Sequence, residues 1–138
     1  MSSLIYDACL YNVFRSIIHF DIDHFKVLLV SSQYIPNKNH SKRSDIFGEI
    51  PNEGGYTKDG MDTDVLIKKD PGVSRINIIL GEVSWKNVTI VAAGAVYYKL
   101  TGRGAANDDL ISFVGFDKEA SSTNGSFTIT PSIIRIQS

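Results

Sequence analysis

His19, Asp21, Asp23 and His24 form the densest run of potential metal ligands in the chain. In an extended backbone, alternation would put His19, Asp21 and Asp23 on one side, and imidazole with carboxylate suits a divalent metal. The run has neither the glycine turn nor the terminal bidentate glutamate of a calcium loop, and a solvated turn between a helix and a strand explains it more simply. No metal site is expected. A cupin-like centre would draw histidines and a carboxylate from several strands, yet all three histidines, His19, His24 and His40, lie in the first 40 residues.

Other chemistries are equally poorly supplied. There is no Gly-x-Ser-x-Gly elbow and no phosphate-binding Gly-Lys-Ser/Thr loop, and Gly102-Arg103-Gly104 lacks the strand and helix of a nucleotide site. Glu49, Glu53, Asp59 and Asp62 could be paired as glycosidase carboxylates, but solvated loop charges are far commoner than dyads. Cys9, the only cysteine, excludes an intrachain disulfide and reads as a small buried hydrophobe. Asn87-Val88-Thr89 and Asn124-Gly125-Ser126 match glycosylation acceptors but come without a secretion signal, and Asn124-Gly125 reads better as a hairpin turn. Trp85 could stack on a sugar; packing at the rim of the core is the stronger expectation. No enzyme activity, cofactor or small-molecule substrate is expected.

The elements that would position these residues follow from patterning. The 138 residues are 43% hydrophobic and 21% charged, with 14 Lys and Arg against 15 Asp and Glu and a net charge of −1. That balance fits one globular domain over residues 1–138 and gives no field to attract nucleic acid or anionic lipid. No apolar run approaches the about 20 residues that cross a bilayer, and no basic segment precedes a signal core, so the chain is expected to be soluble and unprocessed. From Ser3 to Ile18 the apolar residues fall at helical spacing, with Ser3 as the N-cap, which predicts one helix in segment 1–18.

After it the period changes to two. Phe25 to Val30 is apolar on both parities, so a central, doubly covered strand is expected. Residues 33–57 read as a long ordered loop, with a helical turn near Ser41 to Phe47 and pinned by its apolar residues. Val65 to Lys68 and Ile76 to Leu80 flank the Asp70-Pro71-Gly72 turn as hairpin arms. Thr89 to Leu100 is the longest strand expected, with Ala92-Ala93-Gly94-Ala95 small enough for a bulge or a close layer. Leu110 to Phe116, a turn at Ser121 to Gly125, Phe127 to Ile129 and Ile133 to Ile136 follow, with Pro131 at a strand break. The pattern predicts a mainly β protein, an antiparallel β-sandwich or jelly roll with one N-terminal α-helix.

The order of several segments resembles the cement, or decoration, proteins of tailed-bacteriophage capsids. The segments are Phe25 to Val30, Tyr34-Ile35-Pro36-Asn37 with His40, Arg43 to Glu49 and Gly55-Tyr56-Thr57, then Val83-Ser84-Trp85, Thr89 to Tyr98, Phe113 to Asp117 and Gly125 to Ile129. The likeness spans nearly the whole chain and rests on order and spacing. It departs where members often carry Thr-Ala-Arg before Ala-Val-Tyr; this chain has Val91-Ala92-Ala93-Gly94, and no role of that arginine is carried over.

The resemblance implies a jelly-roll-like sandwich on the outside of the shell, made in the host cytoplasm, that pairs with itself and bridges neighbouring major capsid subunits. The N-terminal segment and the Tyr34 to Tyr56 loop exceed what a small β body needs, so contacts are expected from Leu4, Ile5, Tyr11, Phe14, Tyr34, Ile35, Pro36, Arg43, Phe47 and Tyr56. The rival expectation is a carbohydrate-binding sandwich of a phage tail, with Trp85 and loop tyrosines as stacking platforms.

Overall fold

Phe25, Val27 and Leu29 on one parity and Leu28 and Val30 on the other are all buried, so the strand they form must lie between two covers. In the computed structural model, which describes residues 2–137, the covers differ in kind. Strands β1 (Leu4–Ile5), β2 (Phe25–Val30), β3 (Met61–Thr63), β6 (Val83–Lys99) and β7 (Asp109–Ile129) form an antiparallel sheet in the order β1-β7-β6-β2-β3. Strands β4 (Val65–Lys69), β5 (Arg75–Leu80) and β8 (Ser132–Gln137) form a second, in the order β4-β5-β8. With one helix, α1 (Asp7–Phe14), the protein is mainly β, an antiparallel β-sandwich.

One face of the large sheet, through Val27, Leu29, Ala95, Tyr97 and Ile111, shares a core with Ile78, Leu80 and Ile134 of the small sheet. The other face, through Leu28, Val30, Val96, Tyr98, Leu110 and Phe113, is covered by Tyr6 and by Tyr34 of the loop. The loop is thus a structural layer. β6 and β7 continue as a ribbon beyond β2, which pairs only with Gly94 to Lys99. The ribbon breaks register between Ala92 and Gly94, opposite Ala120 and Gly115, and a bulge of this kind bends it. Trp85, Val88, Ile90 and Phe127 are thereby brought into the first core. At the break Gly94 lies against the Phe113 ring, where a Cβ would come within 2.5 Å, so the small residues serve close packing.

Two sequence expectations are corrected. The helix does not run from Ser3 to Ile18. Leu4 and Ile5 pair with Phe113 and Ser112 as an edge strand, the Ser3 hydroxyl accepts from the Gly115 N–H at 3.0 Å, and Tyr6 is the N-cap. The helix stops at Phe14 because Ser16 turns left-handed (φ 61°). The Ile17 N–H then reaches the Asn12 carbonyl (2.8 Å) and the Ser16 N–H that of Val13 (3.1 Å), a Schellman ending with serine where glycine is usual. Second, Ser121 to Gly125 is no hairpin turn: β7 runs through it and, at 21 residues, exceeds β6 at 17. Asn124 is left-handed (φ 47°) and bonds Thr89 at the register break between Val88 and Ile90, while Asn87 (φ 55°) is left-handed at the break between Trp85 and Val88. Between helix and strand, residues 19–24 form no strand and turn at 20–22, in line with the simpler reading of that run as a turn.

The hairpin at Asp70-Pro71-Gly72, the buried central β2, the strand break at Pro131 and the helical turn (Arg43–Asp45) lie where expected.

Gly60 enters β3 with φ +86°, and a Cβ there would lie 1.8 Å from the Val27 carbonyl oxygen. Gly72, with φ +77°, has nothing within 4 Å of its own. Gly60→Ala is expected to cost about 3 kcal/mol or more, against about 1–2 kcal/mol for Gly72→Ala, whose only penalty is left-handed backbone. Urea unfolding midpoints compare them; equal losses would contradict the close approach at Val27.

Candidate functional site

The loop over the large sheet is held by charge as well as by Tyr34. Arg43, at 13% side-chain exposure, donates from Nε to the fully buried Asp108 carboxylate (2.8 Å) and from Nη1 to Asp59 (2.6 Å), and its guanidinium lies over the Tyr98 ring, 5.1 Å from the centroid. Asp108 also accepts from the N–H (2.9 Å) and hydroxyl (2.7 Å) of Thr101. Burial opposes ionisation of Asp108, but the Thr101 and Arg43 hydrogen bonds and the Arg43 charge outweigh it and hold its pKa below the usual carboxylate value. Lys42 pairs with Asp109 beside it. The backbone N–H groups of Ser41 and Lys42 donate to Asp45 and lower its pKa. Further along, Glu49 accepts from the Tyr56 hydroxyl and the Asp59 N–H, both at 2.7 Å, and the Tyr56 oxygen accepts from the Leu29 N–H.

A second set of bonds ties the loop to the N-terminal segment. The Tyr6 and Tyr34 hydroxyls lie 2.7 Å apart, Tyr34 continues to His40 Nδ1 at 3.0 Å, and the Asp7 N–H donates to the Lys38 carbonyl (3.0 Å). The start of the helix is therefore tied to the loop. Phe14 and Ile35 are each 80% exposed, Phe47 74% and Tyr11 61%. Ile35 and Phe47 flank the point where the loop touches itself: a Cβ on Gly48 would lie 2.9 Å from the Tyr34 nitrogen. Leu10, one turn before Phe14 on the helix, and Ile17, beyond the helix end, are partly exposed as well and were not among the expected contacts. A groove of about 400 Å³ between the N-terminal segment and the loop is lined by Ser2, Ser3, Leu4, Pro36 and Lys38. What this arrangement can do is adhere: large apolar side chains stand in water on a backbone that is tied down.

The expected contact residues divide accordingly. Tyr11, Phe14, Ile35 and Phe47 are exposed, and Leu4, Ile5, Pro36 and Arg43 are half-buried. Tyr34 and Tyr56 are corrected: at 1% and 2% exposure they are core residues that fasten the loop and cannot touch a partner. Trp85, at 4%, packs on Tyr56 and Phe127. The side chains on which a sugar would stack are thus inside the protein. A cleft of about 510 Å³ beside Glu53, Thr89, Val91 and Ser121 to Thr123 has no aromatic wall.

The residues suggestive of chemistry are structurally engaged. Asp23 accepts from the His19 N–H (2.7 Å) and pairs with Lys99 (3.1 Å), and His24 lies 3.5 Å from Asp62. Among the described residues no group of three His, Cys, Asp or Glu side chains could hold a metal ion. Burial pushes the Cys9 thiol up to about 12, so little thiolate exists near neutrality. Among the same residues no helix is long and apolar enough to cross a membrane. No family model, curated protein or solved structure matches the chain.

Removing Asp108 strands a nearly buried cation, so Asp108→Ala is expected to cost about 3–5 kcal/mol. Because the folded pKa of Asp108 lies below its unfolded value, its ionised form stabilises the fold above about pH 4, and that contribution is lost as pH falls through the folded pKa. Urea midpoints from neutral to acid pH should fall less steeply for Asp108→Ala than for the parent. Parallel curves would show that the Asp108 carboxylate does not carry the dependence.

Proposed function

We propose that the protein is a non-enzymatic cement protein, with the family's jelly-roll-like build, that sits on the outer surface of a bacteriophage head and clamps neighbouring major capsid protein subunits. It acts there as a homodimer, with no nucleic acid, membrane or substrate involved. The observation that carries this reading is the pinned apolar surface of Tyr11, Phe14, Ile35 and Phe47, which joins the segment-order resemblance to a place where binding energy is available. Burying one such side chain contributes about 1.5–3 kcal/mol, modest at a single site and large when many copies grip one lattice.

Deleting the first 14 residues would not test this cleanly, because it removes β1 and the fully buried Tyr6 and Cys9. Point changes on the exposed surface do. Phe14→Ser and Phe47→Ser should each reduce occupancy on heads stripped of the protein by about tenfold or more, with the thermal unfolding midpoint unchanged. Undiminished occupancy by the double variant, or imaging that finds intact heads without the protein, would overturn the proposal.

A further inference from the structure

The small sheet has a second apolar face that the sandwich does not use. Ile78, Leu80 and Ile134 point into the shared core, so their neighbours Leu66, Ile79 and Ile133, directly paired across β4, β5 and β8, point outward as one row. Leu66 is 55% and Ile133 49% exposed. The next outward row is Lys68, Asn77 and Arg135. Within the three strands and their hairpin the one carboxylate, Asp70, is taken by Arg75 and Asn77, and exposed Asp64 stands just before β4. Arg135 reaches only the neutral Asn77 amide, and Lys68 has no carboxylate partner among the described residues.

Charge is divided unevenly between this region and the rest. Residues 65–80 and 132–137 hold Lys68, Lys69, Arg75 and Arg135 against Asp70 alone, a net of +3 in a chain whose total is −1, which leaves −4 elsewhere. Lysines on an edge strand deter strand pairing, and that accounts for Lys68 and Lys69 at the margin of β4. It does not account for an aliphatic row across all three strands. Three strands about 5 Å apart and about six residues long present about 300 Å², where a standard interface takes about 800 Å² from each partner. The face is too small to hold a folded second copy unaided, and its size fits an extended segment.

We infer that the outer face of the β4-β5-β8 sheet docks an extended segment of another protein in which an apolar side chain and a carboxylate two residues apart face the sheet, the spacing of its two outward rows. The apolar side chains lie on Leu66, Ile79 and Ile133, and the carboxylates reach Lys68 and Arg135. The face lies on the far side of the large sheet from the loop, so the chain has contact surfaces on two opposed sides, and the inference stands whether or not the loop surface grips a capsid.

The probe is a short synthetic peptide of repeating Leu-Ser-Glu-Ser, which puts Leu and Glu on one face, with a Leu-Ser-Lys-Ser peptide as its Leu/Lys counterpart, titrated while backbone amide shifts are followed by NMR. Shifts should centre on Leu66, Lys68, Ile79, Ile133 and Arg135, weaken with added salt, and be absent with the Leu/Lys peptide. The folded Lys68→Glu/Arg135→Glu variant should bind the Leu/Glu peptide about tenfold more weakly or less. Equal binding of both peptides, or shifts centred elsewhere, would overturn the inference. So would tighter binding to phosphatidylserine vesicles than to the peptide, which would make the occupant a lipid surface. Self-association abolished by Leu66→Ser would make it a second copy, and the inference would again fall.

Discussion

A sheet that is apolar on both faces has to be covered twice, and this chain has only one other sheet with which to do it. Leu28, Val30, Val96 and Tyr98 would stand in water if the loop between β2 and β3 lifted away. The second cover is irregular backbone, and backbone carries polar groups that must be satisfied wherever it is buried. The ionic and hydroxyl contacts around Arg43, Asp108, Glu49 and the tyrosines meet that requirement. Sandwich, loop and N-terminal segment are in this sense one solution to one covering problem.

The same requirement separates two kinds of loop residue. Side chains that face the sheet, such as Tyr34 and Tyr56, are consumed in holding the layer down, and Tyr34 also stacks edge-on against Phe113. Those that face away, such as Ile35 and Phe47, are released from any structural duty. An apolar residue with no internal role on a fastened backbone loses little entropy on contact with a partner. The distribution of charge follows a similar logic: carboxylates near the loop are paired internally, while the small sheet keeps cations to spare.

Much of this was legible in the residues. Apolar residues on both parities from Phe25 to Val30, interrupted only by Lys26, announced a doubly covered strand, and Asp70-Pro71-Gly72 announced the hairpin, because both signals are local. The N-terminal reading went astray where two periods coincide: Leu4 and Ile5 fit a helical stripe as well as a strand, and only a distant partner, Ser112 and Phe113, decides between them. Asn124-Gly125 has the composition of a hairpin turn, yet a left-handed residue serves equally in a bulge. Tyr34 and Tyr56 lay in a polar, loop-like stretch that gave no sign of which side chains would face inward. On the small sheet the sign was present in Ile79, which breaks the polar parity of Arg75 and Asn77.

Tyr6, Ser41 and Lys42 bond the outer edge of β7 from Asp109 to Ile111, ahead of the two residues that β1 covers. Beyond Gly115 no strand among the described residues pairs with that edge, which by itself would invite another strand. Along the ribbon, however, register is lost at four places, between Trp85 and Val88, Val88 and Ile90, Ala92 and Gly94, and Tyr97 and Tyr98. An incoming chain of regular pitch would fall out of step after a few bonds, so the longest strand in the molecule makes a poor template for fibrils. Copies crowded side by side can remain separate molecules without a dedicated gatekeeper along that border.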